Sequence, residues 1–380
     1  MDKEYIKYIC EYPIPIENEE GRDYTLSSID KASYIHDVLI RLGYKVEIVS
    51  PSTSKRLAFS RKDIINKNIY VVSGFSLPSR GRFGSIISRF SVSLWLLFYL
   101  VFHTKRGETI IVYHSVFKIP ILLLAKKIKK LRYVLEVEEV FSSLQNENDS
   151  WRRKLEMKMI KLSESYIFAS ERLERDYNTQ HKSFCIAYGS YFQPPVLTGK
   201  FSDGRIHLVY AGLIEKDNTA FKSLRIAEYL DGNYHIHILG YGNENDIALL
   251  LNELNRISKI TDCYVNYEGT KRNEDYYAFL QSCHIGLCPL KVDKTFQNAC
   301  FPSKISSYLV NGLIVVASEN DVLLESKYAD YLYFSQDDNP ESFATVIRSI
   351  DICKAKNIRD CVTELDNSFE RNLGMILNNE

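Results

Sequence analysis

FPSKISSYLVNGLIVVAS, Phe301 to Ser318, is the stretch on which the reading of this chain turns. Pro302 suits a first helical position, where a missing N–H costs nothing. Asn311-Gly312 supplies the helix stop. Leu313 to Ala317 is an apolar run of the kind carried by a parallel strand buried on both faces. A helix start that follows a strand end is a ready anion site, and a nucleotide diphosphate is the obvious tenant. An ordinary loop, helix and strand of an α/β sheet reads the same way, so the flanking sequence has to weigh in.

Outward from that stretch, strand and helix patterns alternate. Strands are expected at 5–10, 45–49, 68–72, 108–113, 133–137, 165–169 and 184–188. Helices at 25–42, 86–103, 118–130, 150–162 and 171–177 lie between them, with a Gly/Arg/Ser-rich loop at 74–84. Gln193-Pro194-Pro195 and the polar stretch to Gly204 have linker chemistry, and the pattern restarts with RIHLVYAG at 205–212. Further strands are expected at 235–239, 264–267, 284–288, 313–317 and 331–334, and helices at 219–230, 243–257, 274–282, 321–327, 340–351 and 355–377. Strands separated by helices imply right-handed crossovers and parallel sheets. The expectation is an α/β chain of two doubly wound, Rossmann-like domains facing across a cleft. These are 1–194 and 205–380, joined by a linker at 195–204, with the last helices packing back toward the first domain.

Composition narrows the function. Lys plus Arg and Asp plus Glu both number 48, so the net charge is zero, which argues against a general nucleic-acid binder and leaves room for local basic patches. Eight cysteines are scattered, with no C-x-x-C pair and no histidine at metal spacing, and read as small buried hydrophobes in a reducing cytosol. MDKEYIKYIC at the start has no signal-peptide pattern, so a cytoplasmic protein is expected. SVSLWLLFYLVF, Ser91 to Phe102, is too short an apolar run to cross a bilayer. A helix buried in its domain is the expectation. A helix lying on an anionic membrane surface is the sharper alternative, given Arg80, Arg82 and Arg89 before it and the basic AKKIKKLR at 125–132. No P-loop, zincin, nucleophile-elbow or kinase motif is present.

In open α/β sheets ligands bind beyond the carboxyl ends of strands, so the loops there matter most. AGLIEKDNTA at 211–220 offers Gly212 for close backbone approach and Lys216 for a phosphate. LGYGNEND at 239–246 is read as a short turn in which Gly240 and Gly242 lead into a helix. YEGTKRNED at 267–275 places Gly269 and Thr270 where a base can lie against the backbone. CPLKVDKTFQNACFPSK at 288–304 ends in the helix start at Phe301, Pro302, Ser303 and Lys304. In the first domain His114 stands just past a strand, and Glu136, Glu138 and Glu139 stand at or past another. Gly21-Arg22 lie in the first loop, where they could hold acceptor or phosphate oxygens. Each has an ordinary structural reading, and the convergence of several is more specific than any one.

These stretches resemble the GT-B glycosyltransferases, and more narrowly the retaining family 4 (glycosyltransferase group 1) of the polysaccharide-assembly type. LVYAGLIEKDN, HIHILGYG, VNYEGTKRNEDYYAFLQSCHIGLCPL and FPSKISSYLVNGLIVVAS carry the resemblance in the second domain, and AYGSYF at 187–192 looks like the last strand before the linker. The family's two signature glutamates, eight residues apart, align with Ala299 and Ser307 here, and the arginine of its first phosphate loop aligns with Leu213, leaving Lys216. The resemblance implies transfer of a sugar from a nucleoside-diphosphate sugar to a hydroxyl of a glycan or lipid-linked acceptor, in surface polysaccharide synthesis. It implies retention of configuration, and no cofactor or metal is expected if the cation and the helix dipole suffice. The donor would be held by Gly212, Lys216, Gly240, Gly269, Thr270, Phe301, Pro302, Ser303, Lys304 and Ser307. The acceptor would be held by Gly21, Arg22 and Glu139, with His114, Glu138 and Lys216 as catalytic residues. Two other classes stay open at this point: a non-hydrolysing sugar-nucleotide epimerase, and a non-catalytic binding or regulatory subunit of the same fold.

Overall fold

The structure, a computed structural model, describes residues 5–13, 21–24, 26–140, 150–216, 219–290, 301–354 and 358–378. The chain divides into two compact units. The first comprises Met1–Ser190 with Asn367–Glu380, and the second Tyr191–Asp366.

The first unit holds strands β1 (Tyr5–Ile9), β2 (Lys45–Ser50), β3 (Arg61–Asn66), β4 (Ile69–Ser73), β5 (Thr109–Tyr113), β6 (Arg132–Val137), β7 (Ser165–Phe168) and β8 (Phe184–Ile186). Helices α1 (Leu26–Arg41), α2 (Gly81–His103), α3 (Ile119–Lys129), α4 (Ser150–Leu162) and α5 (Glu171–Tyr177) connect them. The sheet order is β3-β4-β2-β1-β5-β6-β7-β8, parallel except for β3. β1 through β4 grow the sheet one way and β5 resumes on the other side of β1, which makes β1/β5 a switch point. β3 went unread in the sequence because RKDIIN carries only two apolar residues. It is an edge strand, half-exposed throughout, and charge on an edge discourages pairing with other chains.

Two expectations for α2 are corrected. It starts at Gly81 rather than at 86, so the preceding loop is shorter. It is also not a core helix. Ser88, Ser91, Val92, Leu96 and Leu100 form one buried stripe, and α2 packs on α3. The opposite stripe leaves Phe83, Phe90 and Phe102 at 84%, 69% and 73% exposure, with Ile86, Ile87, Leu94 and Phe98 exposed beside them. Spacing of three and four residues puts each set on its own face.

The second unit holds β9 (Ile206–Ile214), β10 (Tyr234–Gly242), β11 (Tyr264–Gly269), β12 (Ile285–Cys288), β13 (Ile314–Ser318) and β14 (Leu332–Ser335), all parallel, in the order β11-β10-β9-β12-β13-β14. Its helices are α6 (Thr219–Arg225), α7 (Glu244–Ile257), α8 (Asn273–Ser282), α9 (Ser303–Val310), α10 (Asp321–Leu324) and α11 (Pro340–Ser349). The final helix, α12 (Arg359–Asn378), begins in this unit and ends in the first, where Glu370 pairs with Arg41 at 2.8 Å and Phe369 meets the Tyr34 ring. The segment read as a linker is bonded to the second unit. Gln281 holds Leu197 N–H and the Pro195 carbonyl, and Phe201 N–H donates to Ser282.

Alternation along the strands sends Leu208, Tyr210, Ile236, Ile238, Ile285, Leu287, Ile314 and Val316 to one face, where Phe221 and Leu224 of α6 and Phe343 and Ile347 of α11 cover them. α9 seats on the other face, packed on β12 and β13. Pro302 caps α9 rather than opening it, with extended backbone, and Asn311 and Gly312 (φ +74°) close it as expected. The Tyr308 ring lies so close to Gly286 that a Cβ there would stand 2.4 Å from it. The Tyr308 hydroxyl accepts Ala211 N–H at 2.7 Å. Among the described cysteines Cys10, Cys185, Cys263, Cys283 and Cys288 are buried and free, but Cys353 is exposed, against the expectation that all are core residues. Gly286→Ala should cost about 1–3 kcal/mol by overpacking, read as a lower urea midpoint. An unchanged midpoint would mean that Tyr308 does not seat α9.

Candidate functional site

At the carboxyl ends of the second sheet, β9 and β10 run further than the sequence pattern indicated. Gly212, Gly240 and Gly242 are not in turns: Gly240 pairs with Gly212 and Gly242 with Ile214 inside the ladder. The two strands approach so closely that a Cβ on Gly240 (φ +157°) would stand 1.8 Å from the Gly212 carbonyl oxygen. The turn into α7 falls to Asn243, whose side chain caps that helix. The Gly240 carbonyl accepts the hydroxyls of Tyr267 and Thr270 at 3.1 and 3.2 Å, which ties the end of β11 to β10. Gly269 (φ +69°) ends β11 with open space on its Cβ side.

β9 and β12 lie on either side of the switch point in this sheet, since the chain grows from β9 through β10 to β11 and then restarts at β12. α9 begins there. Its cap, Pro302, contributes no side-chain hydrogen bond, and the positive end of the helix dipole lies at this end. Lys304 stands in that first turn, its Nζ 4.0 Å from the Tyr210 ring centroid and 3.2 Å from where a Cβ of Gly212 would be. Glycine at 212 leaves room for that ammonium. Phe301 is buried against Tyr328, and Ser307 bonds the Tyr276 hydroxyl at 3.1 Å. Lys216 is exposed, its backbone N–H held by Asp246 at 3.1 Å. The structure thus brings Gly212, Gly240, Thr270 and Lys304 to one edge of the sheet. Ala299, read as the position of a missing glutamate, lies outside the described residues.

The first unit treats its candidates differently. Arg22 is buried and donates to the carbonyls of Gly74, Phe59 and Ser52, so it cross-links loops instead of presenting an open anion site. Gly21 (φ +63°) accepts Lys55 N–H. His114 is also buried. Its Nδ1 bonds the Glu139 carbonyl at 3.1 Å and its Nε2 lies 3.4 Å from Glu156, while burial lowers its pKa. Glu138 pairs with buried Lys31, which also donates to the Ala187 carbonyl. Glu136 is the most perturbed of the group. Burial first, and Glu138 second, push its carboxyl up to about 8, and one of its oxygens accepts the Tyr8 hydroxyl.

The sequence reading missed three groups. Tyr308 and Gly286 seat α9, and a strand glycine facing an aromatic is invisible without the register. Tyr210 carries Lys304 on its ring. The third is a cluster of His207, His235 and His237, in which one ring nitrogen of each lies within 4.8 Å of the other two. Burial and the neighbouring rings push His237 down to about 3 and His235 to about 4. The expectation of no metal constellation rested on linear spacing, yet H-x-H on a strand places both rings on one face.

The sequence matches no protein-family model and no curated protein. The fold, in contrast, is shared with solved structures over nearly their whole length. An E. coli trehalose-6-phosphate protein bound with UDP-2-fluoro glucose is 11% identical, with a TM-score of 0.71 over 98% of both chains. Sucrose-phosphate synthase of Thermosynechococcus elongatus is 12% identical, with a TM-score of 0.73 over 99% of both. Anabaena Alr3699/HepE in complex with UDP and glucose is 10% identical, with a TM-score of 0.63 over 98% of this chain and 99% of that one. Two doubly wound units with these neighbours define the GT-B fold, and this chain has it.

Glu136 sets a pH signature. Its carboxyl holds a proton up to about 8 in the folded chain and only to about 4.5 when unfolded, so the folded state binds more protons between those values. Its contribution to stability therefore declines as pH rises from about 4.5 through about 8 and levels off above. Glu136→Gln should flatten that slope, seen as a larger gain in urea midpoint at pH 8.5 than at pH 5.5. Equal gains at both would show that Glu136 is not the titrating group.

Proposed function

We propose that this chain is a glycosyltransferase that moves a sugar from a nucleoside-diphosphate sugar to a hydroxyl of a glycan or lipid-linked acceptor. One observation carries the reading: Lys304 and the open start of α9 stand against the paired Gly212 and Gly240 at the switch point of the second sheet. That edge suits a diphosphate, since a cation, a helix dipole and backbone N–H groups at a helix start all favour negative charge. Two of the solved structures with this fold carry UDP or a UDP-sugar, which agrees with a nucleotide at such an edge.

In this reading the diphosphate is the leaving group. Lys304, exposed Lys216 and the N–H groups of Ser303 and Lys304 stabilise the charge that develops on it, without a metal at this edge. The base lies along Gly269 and Thr270, where the Cβ side is open, and Ser307 takes the ribose in place of a carboxylate. The acceptor belongs to the first unit, at Glu138 and Glu139 beyond β6. Arg22 and His114 act there only through the loops and the Glu139 carbonyl they hold. Retention of configuration and a role in surface polysaccharide synthesis follow from the family resemblance.

A panel of UDP- and GDP-sugars tests this. Nucleoside diphosphate should be released only when a glycan or lipid-linked acceptor is present. Epimerised sugar without acceptor would sink the reading in favour of an epimerase, and binding without turnover would favour a regulatory subunit. Lys304→Met should weaken nucleoside-diphosphate binding by about 10–100-fold, the worth of a hydrogen bond to a charged group, and Lys216→Ala less, because it is exposed. Unaltered affinity in Lys304→Met would remove that residue from the site.

The exposed stripe of α2 fits contact with an anionic lipid surface, where a lipid-linked acceptor would be found. Arg80, Arg82 and Arg89 are exposed beside it. On α3, Leu124, Lys127 and Ile128 are exposed, as is Lys130 just past its end, while Lys126 is tied to Glu164 and Lys129 to the Val101 carbonyl. Basic groups around an apolar stripe complement anionic headgroups over acyl chains. The doubly substituted Phe90→Asp, Phe98→Asp chain should lose at least about tenfold in binding to phosphatidylglycerol vesicles, because each buried phenylalanine contributes about 1.5–3 kcal/mol. Equal binding of wild type and variant, or no preference for anionic over neutral vesicles, would argue against the membrane surface.

A further inference from the structure

We propose that His207, His235 and His237 form a structural site for one divalent transition-metal ion of the zinc, nickel and copper group. The site is independent of the sugar-donor reading. His207 is the second residue of β9 and Gly212 the seventh, so the cluster lies about 16 Å along the strand from the glycine edge, at about 3.3 Å per residue.

Register builds the cluster. His235 pairs with His207 across parallel β10 and β9, and His237 follows His235 by two residues, so all three project from one face of the sheet. His235 and His237 stack with centroids 4.0 Å apart, and His207 lies 5.1 Å from His237. Phe201 covers His207 at 4.2 Å, and the Phe279 ring meets His237 edge-on at 5.3 Å. His284 joins as a neighbour whose Nδ1 accepts the His207 backbone N–H. His207 and His237 are buried and His235 is half-buried.

The hydrogen bonds then fix which nitrogens are available. His207 Nε2 lies 2.8 Å from Asp203, and His237 Nδ1 lies 2.8 Å from Glu268. A carboxylate accepts only, so each of those nitrogens carries the ring's proton. The opposite nitrogens, His207 Nδ1 and His237 Nε2, therefore both present lone pairs, and they face each other at 2.8 Å. Two lone pairs at that separation repel unless something positive lies between them. His235 Nε2 is buried without a hydrogen-bond partner, and one nitrogen of each of the three rings lies within 4.8 Å of the others. A third imidazole nitrogen without a partner beside two facing lone pairs is a ligand set, and carboxylates on the far nitrogens are the outer shell that orients metal-binding histidines.

Imidazole suits zinc, nickel and copper, and three histidines leave a position for water or a further ligand. Metal–nitrogen bonds of about 2.0–2.1 Å in a tetrahedral site set the nitrogens about 3.3 Å apart, so the facing rings part by about half an ångström on binding. Such an ion would pin the segment bearing Phe201 and Asp203 to β9 and β10. A proton shared between His207 and His237 is the competing account, and it leaves His235 unused.

The test uses the full chain without a histidine tag. After dialysis against micromolar zinc, metal analysis and native mass spectrometry should find one ion per chain, with a raised melting temperature that EDTA reverses. Cobalt should give the visible bands of a nitrogen-rich site. His235→Gln should weaken zinc binding at least tenfold, and Glu268→Gln by about 10–100-fold as an outer-shell change, each with an unchanged circular dichroism spectrum. Failure of the wild type to take up zinc or cobalt, or undiminished binding in His235→Gln, would overturn the site and leave the shared proton. Should His235→Gln not fold, the wild-type stoichiometry, the cobalt spectrum and Glu268→Gln decide. None of these readouts involves a sugar nucleotide, so the result stands whatever the donor panel finds.

Discussion

The second unit depends on how one tyrosine meets one glycine. The Tyr308 ring lies against Gly286 in the middle of β12, and its hydroxyl receives the Ala211 N–H of β9. That contact spans the switch point. It fixes α9, packed on β12 and β13, beside the point where the sheet reverses its growth, and so decides where the start of α9 and Lys304 can stand. A second steric constraint works with it. Gly212 and Gly240 bring β9 and β10 closer than any side chain allows, and Gly212 leaves the space that the Lys304 ammonium occupies. Packing of apolar groups thus holds a positive edge in place without burying the charge.

The first unit shows the opposite balance. Its polar groups are drawn inward and committed: Arg22 to three carbonyls, His114 to Glu139 and Glu156, Lys31 to Glu138, Glu136 to Tyr8. Burying a carboxyl there costs less when it keeps its proton, which is why Glu136 resists ionisation. Its apolar groups, meanwhile, are left outside along α2. Isolated exposed hydrophobics are ordinary, but an apolar stripe that runs from Phe83 to Phe102 with arginines at its start is not.

Much of the fold was legible because it rests on local rules. Strand and helix alternation, the Asn311-Gly312 stop and the apolar run into β13 are properties of the chain segment itself, and they survive in the structure. What escaped was whatever depends on a neighbour. β3 has too few apolar residues to announce itself and exists because β4 offers an edge. Gly240 looked like a turn residue because glycine serves both turns and close strand contacts, and only the pairing with Gly212 separates the two. α2 looked like a core helix because composition counts apolar residues without saying which stripe finds a partner.

The sequence by itself determined two doubly wound units and the order of most of their strands and helices, because periodicity and helix stops act within a few residues. Register decided the rest. It gathered His207, His235 and His237 from two strands, carried Lys304 to Gly212, and turned Arg22 and His114 inward. Those outcomes are contacts between residues far apart in the chain. The physical reason is that hydrogen-bond partners and burial are properties of pairs, and pairs exist only once the sheets have closed.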